Sequence, residues 1–410
     1  MRPLSAMATD IARARKGGAF GSLERDVAAR VIAAVRKDGD RAVLRVVQQF
    51  DRKSARTADL IADRAMLRRA GRAAPREVRA SLDLAYRRIR AFHEGQRPRA
   101  THERDGHGVV RITPSPLHRV GALVPRGTTA YPSTALMTGI PAQVAGVPEL
   151  VAASPMTADG EIDPALAYAL TLVDADALFR AGGAAAVAAL AYGTKTLAPV
   201  DKIVGPGNAY TTAAKWLVSA MVGIDGLQGP SELAIVASGD ADPAGVVLDL
   251  EAQAEHGGGP YAALISDSAG LLAIVAVVVD QLGVNRGNIG LFRAPSLAAA
   301  LDAAIAFAPE HLNLAGPKAA RLAPKARNAG AVFVGTRTAV AFGDYVAGSN
   351  HVLPTGGSAR WASPLRVDDF VRWTTRVEAR GSLTRLAAAG AKVARYEDMP
   401  FHAASMELRG

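Results

Sequence analysis

Residues 120–127, Val-Gly-Ala-Leu-Val-Pro-Arg-Gly, read as a buried strand that runs into a glycine turn. Outward from there the texture repeats. Thr134 to Gly146 has helical composition, Glu149 to Ser154 is a strand, and Pro164 to Val173 is again a helix. Short apolar runs alternating with helices imply βαβ units and a mostly parallel sheet. A second series starts at Glu232-Leu-Ala-Ile-Val-Ala. It continues through a helix at Pro243–His256, a strand at Ala262–Ser266 and a helix at Ala269–Leu282. Upstream, residues 23–98 read as helices: Val27, Val31, Ile32 and Val35 share one face, and Glu77 to His93 repeats that spacing. The expected fold is α/β, with two tandem incomplete Rossmann-like parallel-sheet domains, a helical N-terminal segment and a helical C-terminal tail. No GxGxxG follows any strand, so a dinucleotide would have to be held without the usual fingerprint.

The 410 residues are too many for one compact core and point to two or three domains. With no cysteine, disulfides, thiolate metal sites and cysteine nucleophiles are excluded. Met1 to Ser22 lacks the apolar core of a signal peptide, and the longest apolar run, Gly270 to Val279, is too short to span a bilayer. The expectation is a soluble, cytoplasmic protein with no membrane partner. Net charge is +10, but the excess is local: residues 1–100 hold 24 of the 48 Lys and Arg against 11 of the 38 Asp and Glu. Arg87-Arg88-Ile89-Arg90 and similar runs have no interleaved aromatics on which bases would stack. A solvated helical face explains them, with subunit contact or attraction of an anionic ligand as alternatives; nucleic acid is not an expected partner.

Eight histidines are present. His93, His102, His107 and His118 lie in the basic first third and read as surface residues. The other four fall in polar segments. Gln253-Ala-Glu-His256 closes a helix, and residues three apart share a helix face. Without thiols, such a pair would suit zinc or manganese, or it is an ordinary hydrogen-bonded surface pair. In Ala308-Pro-Glu310-His311-Leu312, an adjacent carboxylate and imidazole in apolar surroundings could act as base and proton shuttle. The bland alternative is a capping Glu beside a satisfied histidine. The loop 343–355, Gly-Asp-Tyr-Val-Ala-Gly-Ser-Asn-His-Val-Leu-Pro-Thr, is rich in groups that bind rather than pack. It offers Asp344 as a hard oxygen ligand and His351 towards a substrate. The tail carries Glu397-Asp-Met-Pro-Phe-His402.

Together these segments resemble the histidinol dehydrogenase family. The matching stretches are Ile89 to Gln96, residues 131–137 (Tyr-Pro-Ser-Thr-Ala-Leu-Met), residues 200–208 (Val-Asp-Lys-Ile-Val-Gly-Pro-Gly-Asn), residues 229–232 (Gly-Pro-Ser-Glu), Gln253 to His256, Pro309 to Leu312 and the loop 343–355. They occur in family order across roughly residues 25–410. The resemblance implies zinc held by Gln253, His256, Asp344 and His402, the last from the second subunit of a homodimer with swapped tails. It implies Glu310 and His311 as acid–base catalysts, Ser133, Ser231, His351 and Glu397 at the substrate, and Asn208 at NAD. The implied reaction is zinc-dependent, NAD-linked oxidation of L-histidinol to L-histidine through the aldehyde, in histidine biosynthesis. The implied domains are an arm at 1–22, a first α/β domain from 23–122 with 233–365, a second at 123–232, and a dimerisation tail at 366–410.

The chain departs from the family pattern at identifiable places. Leu123 stands where the family has a cofactor-contacting Tyr, Arg126 where it has a turn glycine, and Ala185 where it has a cofactor-contacting Gln. Val340 replaces a substrate-side Glu, and a neutral valine cannot pair with a cationic group. The alternative is therefore a paralogue that keeps the zinc chemistry on a different alcohol or amino alcohol, with weakened or lost NAD use.

Overall fold

The computed structural model describes residues 2–16, 18–127, 129–256, 261–282 and 288–410. The chain forms two compact units, residues 1–96 with 117–370 and residues 97–116 with 371–410.

The larger unit holds two six-stranded sheets. One has the spatial order Ile61–Asp63, Ala177–Phe179, Glu149–Ala153, Arg119–Leu123, Lys202–Val204, Gly223–Ile224. All its pairings are parallel except the short edge strand Ile61–Asp63. Alternate residues of its central strand face opposite layers. Val120 and Ala122 pack with the helices Arg76–Glu94, Pro132–Ala145 and Pro164–Leu172. Leu123 faces the layer built from Ser22–Asp38, Asp40–Phe50, Gly183–Tyr192 and Ala209–Val218. The second sheet runs Arg2–Pro3, Ile289–Arg293, Tyr261–Ser266, Glu232–Ala237, His311–Ala315, Ala331–Val334, parallel throughout. Strands buried on both faces read as continuous apolar runs, which is why Glu232–Ala237 and Tyr261–Ser266 are fully buried.

The α/β class and the alternation stand, but the grouping of segments differs from expectation. Residues 23–122 are shared between the expected groups, with Leu82, Ala85 and Ile89 packing beside Val352 and Leu365. Ala28, Ile32, Val35, Val43 and Leu60 pack against Phe179, Val187, Leu190 and Ile203 of the other sheet, and Arg119–Leu123 is that sheet's central strand. An amphipathic helix buries its stripe on any apolar face of matching shape, so the stripe alone does not name its sheet. The expected arm at 1–22 is also more than an arm. Arg2–Pro3 completes the edge of the second sheet, and Met7 in the helix Met7–Ala14 is buried in its core.

The smaller unit is a three-stranded antiparallel sheet, ordered Val371–Ala379, Gly108–Pro116, Thr101–Asp105, with the helices Thr384–Tyr396 and Pro400–Glu407. The helix pair closes over Ala391, Ala394 and Ala403, and Arg395 bridges to Glu407 through both oxygens. The expected tail at 366–410 thus gains a hairpin from far upstream, while Val367 and Phe370 belong to the larger core. Among the described residues, no helix is long and apolar enough to cross a membrane.

Candidate active site

The centre lies at the amino-terminal ends of two neighbouring strands of the second sheet. The helix Leu297–Phe307 stops at Ala308, which adopts a left-handed conformation (φ 52°). Pro309 then directs the chain so that Glu310 and His311 enter the strand His311–Ala315. Both are buried, at 8% and 3% exposure. Glu310 Oε2 accepts the Ser231 hydroxyl at 2.5 Å and the Glu232 backbone N–H at 3.1 Å. Burial pushes its carboxyl up to about 8, against the pull of those two hydrogen bonds and of His256; the Asp344 charge pushes further up. The same desolvation lowers His311, so its imidazole is neutral at pH 7. His311 Nδ1 has no hydrogen-bond partner and lies 3.6 Å from Glu310 Oε2; its Nε2 lies 3.9 Å from Asp344 Oδ1.

Asp344 sits in the short helix Ala341–Tyr345. Desolvation raises its carboxyl, and among the described residues its only ionisable partner within ion-pair distance is the neutral His311. Its backbone carbonyl meets His351 Nδ1 at 3.0 Å, and His351 Nε2 meets Thr134 Oγ1 at 3.3 Å. Desolvation holds His351 down at about 4. Ser133 is half-buried in the first turn of the helix Pro132–Ala145, beside Thr134. Gln253 is buried with its Nε2 unpartnered, while His256 is exposed just past the same helix, its Nδ1 3.3 Å from the Gln253 carbonyl. Among the described residues, no three His, Asp or Glu side chains are grouped to hold a metal. Glu397 and His402 lie in the smaller unit, and both are exposed.

Other features were not visible in the residues alone. His93, expected at the surface, is fully buried: it sits on the inner face of its helix with Ile89 and pairs with Gln96 and Asn350. Arg88 is no free surface cation; it donates to the carbonyls of Val346 and Ala347 and so pins the loop between Asp344 and His351. Lys215, 1% exposed, donates to Asp225, Gln228 and the Gly205 carbonyl. That knot ties the loop before Asn208 to the segment that leads into Ser231. Its only trace in the sequence is a lysine inside an otherwise uncharged helix. Asn208 caps the helix Ala209–Val218, its Oδ1 accepting from the backbone and hydroxyl of Thr211. Leu123, Ala185 and Val340 are 5%, 1% and 6% exposed and pack as core.

A family model described as histidinol dehydrogenase matches residues 15–410. The chain belongs to the histidinol dehydrogenase family. Among curated relatives, "Histidinol dehydrogenase" of Ruegeria pomeroyi is 42% identical over 93% of this chain and 91% of its own length. The protein of the same name from Geobacter metallireducens is 42% identical over 96% of this chain and 93% of its own. The crystal structure of histidinol dehydrogenase from Elizabethkingia anophelis superposes with a TM-score of 0.87 at 29% identity, covering 94% of this chain and 91% of that one. As a member of this oxidoreductase family, the chain brings Glu310, His311, Ser231, Asp344 and His351 into one neighbourhood. It leaves Glu397 and His402 in the other unit, and it buries Leu123 and Ala185.

Proposed function

We propose that this chain is a zinc-dependent dehydrogenase that oxidises an amino alcohol, L-histidinol, to the amino acid through the aldehyde. Relatives that share about two-fifths of its residues carry that name. The observation that carries the proposal is the Ser231–Glu310–His311 cluster, a buried acid pushed up to about 8 beside a neutral imidazole with an open nitrogen. General acid–base work at ordinary pH needs such a pair.

The donor set fits zinc. Asp344 is a desolvated carboxylate facing neutral imidazole, whose charge a divalent cation would offset, and the Gln253 side chain would bind through its carbonyl oxygen. Gln253, His256 and Asp344 would hold it, with His402 of a second copy completing the set. Two of these are an amide and a residue on the other unit, and among the described residues of one chain no three His, Asp or Glu form a cluster. The exposure of Glu397 and His402 is what a swapped tail in a homodimer requires. Bound zinc would supply Lewis acidity that acidifies the alcohol and orients it. His311 takes the hydroxyl proton on its open nitrogen. Glu310, ionised and held by Ser231 and Glu232, removes a proton from the water that adds to the aldehyde carbon. His351 and Ser231 orient the substrate. The sequence consumes one water and two two-electron acceptors and leaves a carboxylate.

NAD fits less well. Asn208 keeps its amide N–H groups free for a ligand, but Leu123 and Ala185 offer no polar atom and are packed away. Val340 likewise withdraws a carboxylate from the substrate side and is buried in the core. These positions favour a second reading, a paralogue acting on another alcohol with weak or no NAD use. Calorimetry with NAD followed by an absorbance assay with L-histidinol separates the two. Turnover of L-histidinol supports the first reading. Zinc-loaded protein that leaves L-histidinol unoxidised and binds NAD weakly or not at all supports the second, and a metal-free purified protein defeats both.

A further inference from the structure

We infer that Arg15 is a positioning residue for Glu310, clamping from the N-terminal helix the segments that converge on that carboxylate. This rests on Glu310 being the reaction's base as proposed above. Arg15 follows directly on the helix Met7–Ala14 and is the point where the arm reaches the site. Its Nε donates to Glu232 Oε1 at 2.6 Å and its terminal nitrogen to Oε2 at 2.8 Å, a two-pronged ion pair with side chains 20% and 5% exposed. The Gly356 N–H donates to the same Oε2 at 3.2 Å. The guanidinium lies 4.6 Å from the centre of the Phe307 ring, and it reaches the Ala308 carbonyl at 3.5 Å. Phe307 and Ala308 are the last turn before Pro309 and Glu310.

One side chain therefore holds both approaches to the base. Through Glu232 it fixes the residue whose backbone N–H points at Glu310 Oε2, with Ser231 as the immediate neighbour. Through Phe307 and Ala308 it fixes the chain that delivers Glu310 itself. The other end of the arm is anchored independently, by Arg2–Pro3 on the sheet edge and by Asp10 between Arg2 and Arg13. A bidentate guanidinium–carboxylate pair fixes orientation as well as distance, and a lysine cannot reproduce that geometry. Arg15 also lines a cleft of about 290 Å³ beside Ser231, with Leu227, Pro230, Tyr261, Thr355 and Trp361, so a small cation can reach its place.

The test is amide-resolved hydrogen exchange on the intact protein and its Arg15→Ala, Arg15→Lys and Arg13→Ala variants, together with steady-state kinetics. In Arg15→Ala, protection of the Glu232 N–H falls about tenfold while Ala263 and Leu264 on the adjacent strand keep theirs. There kcat falls about tenfold or more with KM within about twofold, since position and not binding is lost. Free guanidinium ion partly restores turnover to Arg15→Ala but not to Glu310→Gln. Arg15→Lys remains impaired and Arg13→Ala behaves as wild type. Unchanged protection at Glu232 overturns the inference. So does protection lost evenly across the strands without guanidinium rescue, which would make Arg15 a stabilising residue only. If the wild-type protein oxidises no alcohol, the functional proposal falls, and the exchange measurement alone still decides whether Arg15 holds Glu310.

Discussion

The two sheets of the larger unit share a layout yet end differently. At the entrance of Glu232–Ala237 and His311–Ala315, carboxylates, imidazoles and a hydroxyl are buried together, and each shifts its neighbour's protonation. At the end of Arg119–Leu123 and the start of the helix Gly183–Tyr192, the corresponding family positions have become Leu123 and Ala185, and both are core. Burying polar groups costs stability unless they are partnered, so a fold keeps such a cluster only where it is used. Where no polar group is needed, apolar side chains fill the space. The contrast sets a buried polar cluster in one sheet against apolar core at the matching end of the other.

The sharpest way to break this contrast is at the polar end. Glu310→Gln is expected to lower kcat by about 10²–10⁴-fold with zinc content unchanged, measured by turnover and metal analysis. Because Glu310 must be ionised to act as a base and burial holds its carboxyl above the ordinary range, wild-type kcat rises with pH as that carboxyl ionises and then levels. Stability moves the other way. The folded value lies above the ordinary 4.5, so the protonated acid supports the metal-free fold at low pH. That support is lost as pH rises through about 8. Thermal melts across that range show the slope in wild type and a reduced slope in Glu310→Gln.

Next in size is Lys215→Met, which leaves Asp225 buried without its cation. It should cost about 3–5 kcal/mol in denaturant unfolding, and little change would mean that the knot before Ser231 is ornamental. His256→Ala is expected to weaken zinc binding by at least about 10–100-fold in competition with a chelator. The smallest effect lies at the apolar end. Restoring polar groups with Leu123→Tyr and Ala185→Gln should tighten NAD by several-fold, about 1 kcal/mol per hydrogen bond gained. A double variant with unchanged NAD affinity would show that the cofactor wall had not relaxed at these positions.

Much of this was legible in the sequence because its signals are local. Pro132, Pro164 and Pro243 open helices, Gly146 closes one in a left-handed turn, and the strands between are apolar runs. The site segments were legible because Gln253, Glu310, His311, Asp344 and His351 sit in short polar motifs. What stayed hidden was long-range. No local pattern tells the strand Gly108–Pro116 that it pairs with Val371–Ala379, or the stripe at Ile32 and Val35 which sheet it covers. His93 was misplaced because its helix is basic on average, while a single face, with Ile89, is dry. Arg15 and Lys215 were hidden for the same reason. A cation in a basic or helical stretch looks solvated until its carboxylate arrives from a distant strand.

The pairing of Arg2–Pro3 with Ile289–Arg293 sets an order of events during synthesis. The sheet between Ile61 and Ile224 has all its strands within one continuous stretch of chain, so it can form as that stretch leaves the ribosome. Arg2–Pro3 has no docking place until Ile289–Arg293 follows. Until then Glu232 lacks its arginine, and the carboxylates that later share one dry chamber remain hydrated and apart. Assembly of that end of the sheet is thereby postponed until the strands Ile289–Arg293 and His311–Ala315 have been made.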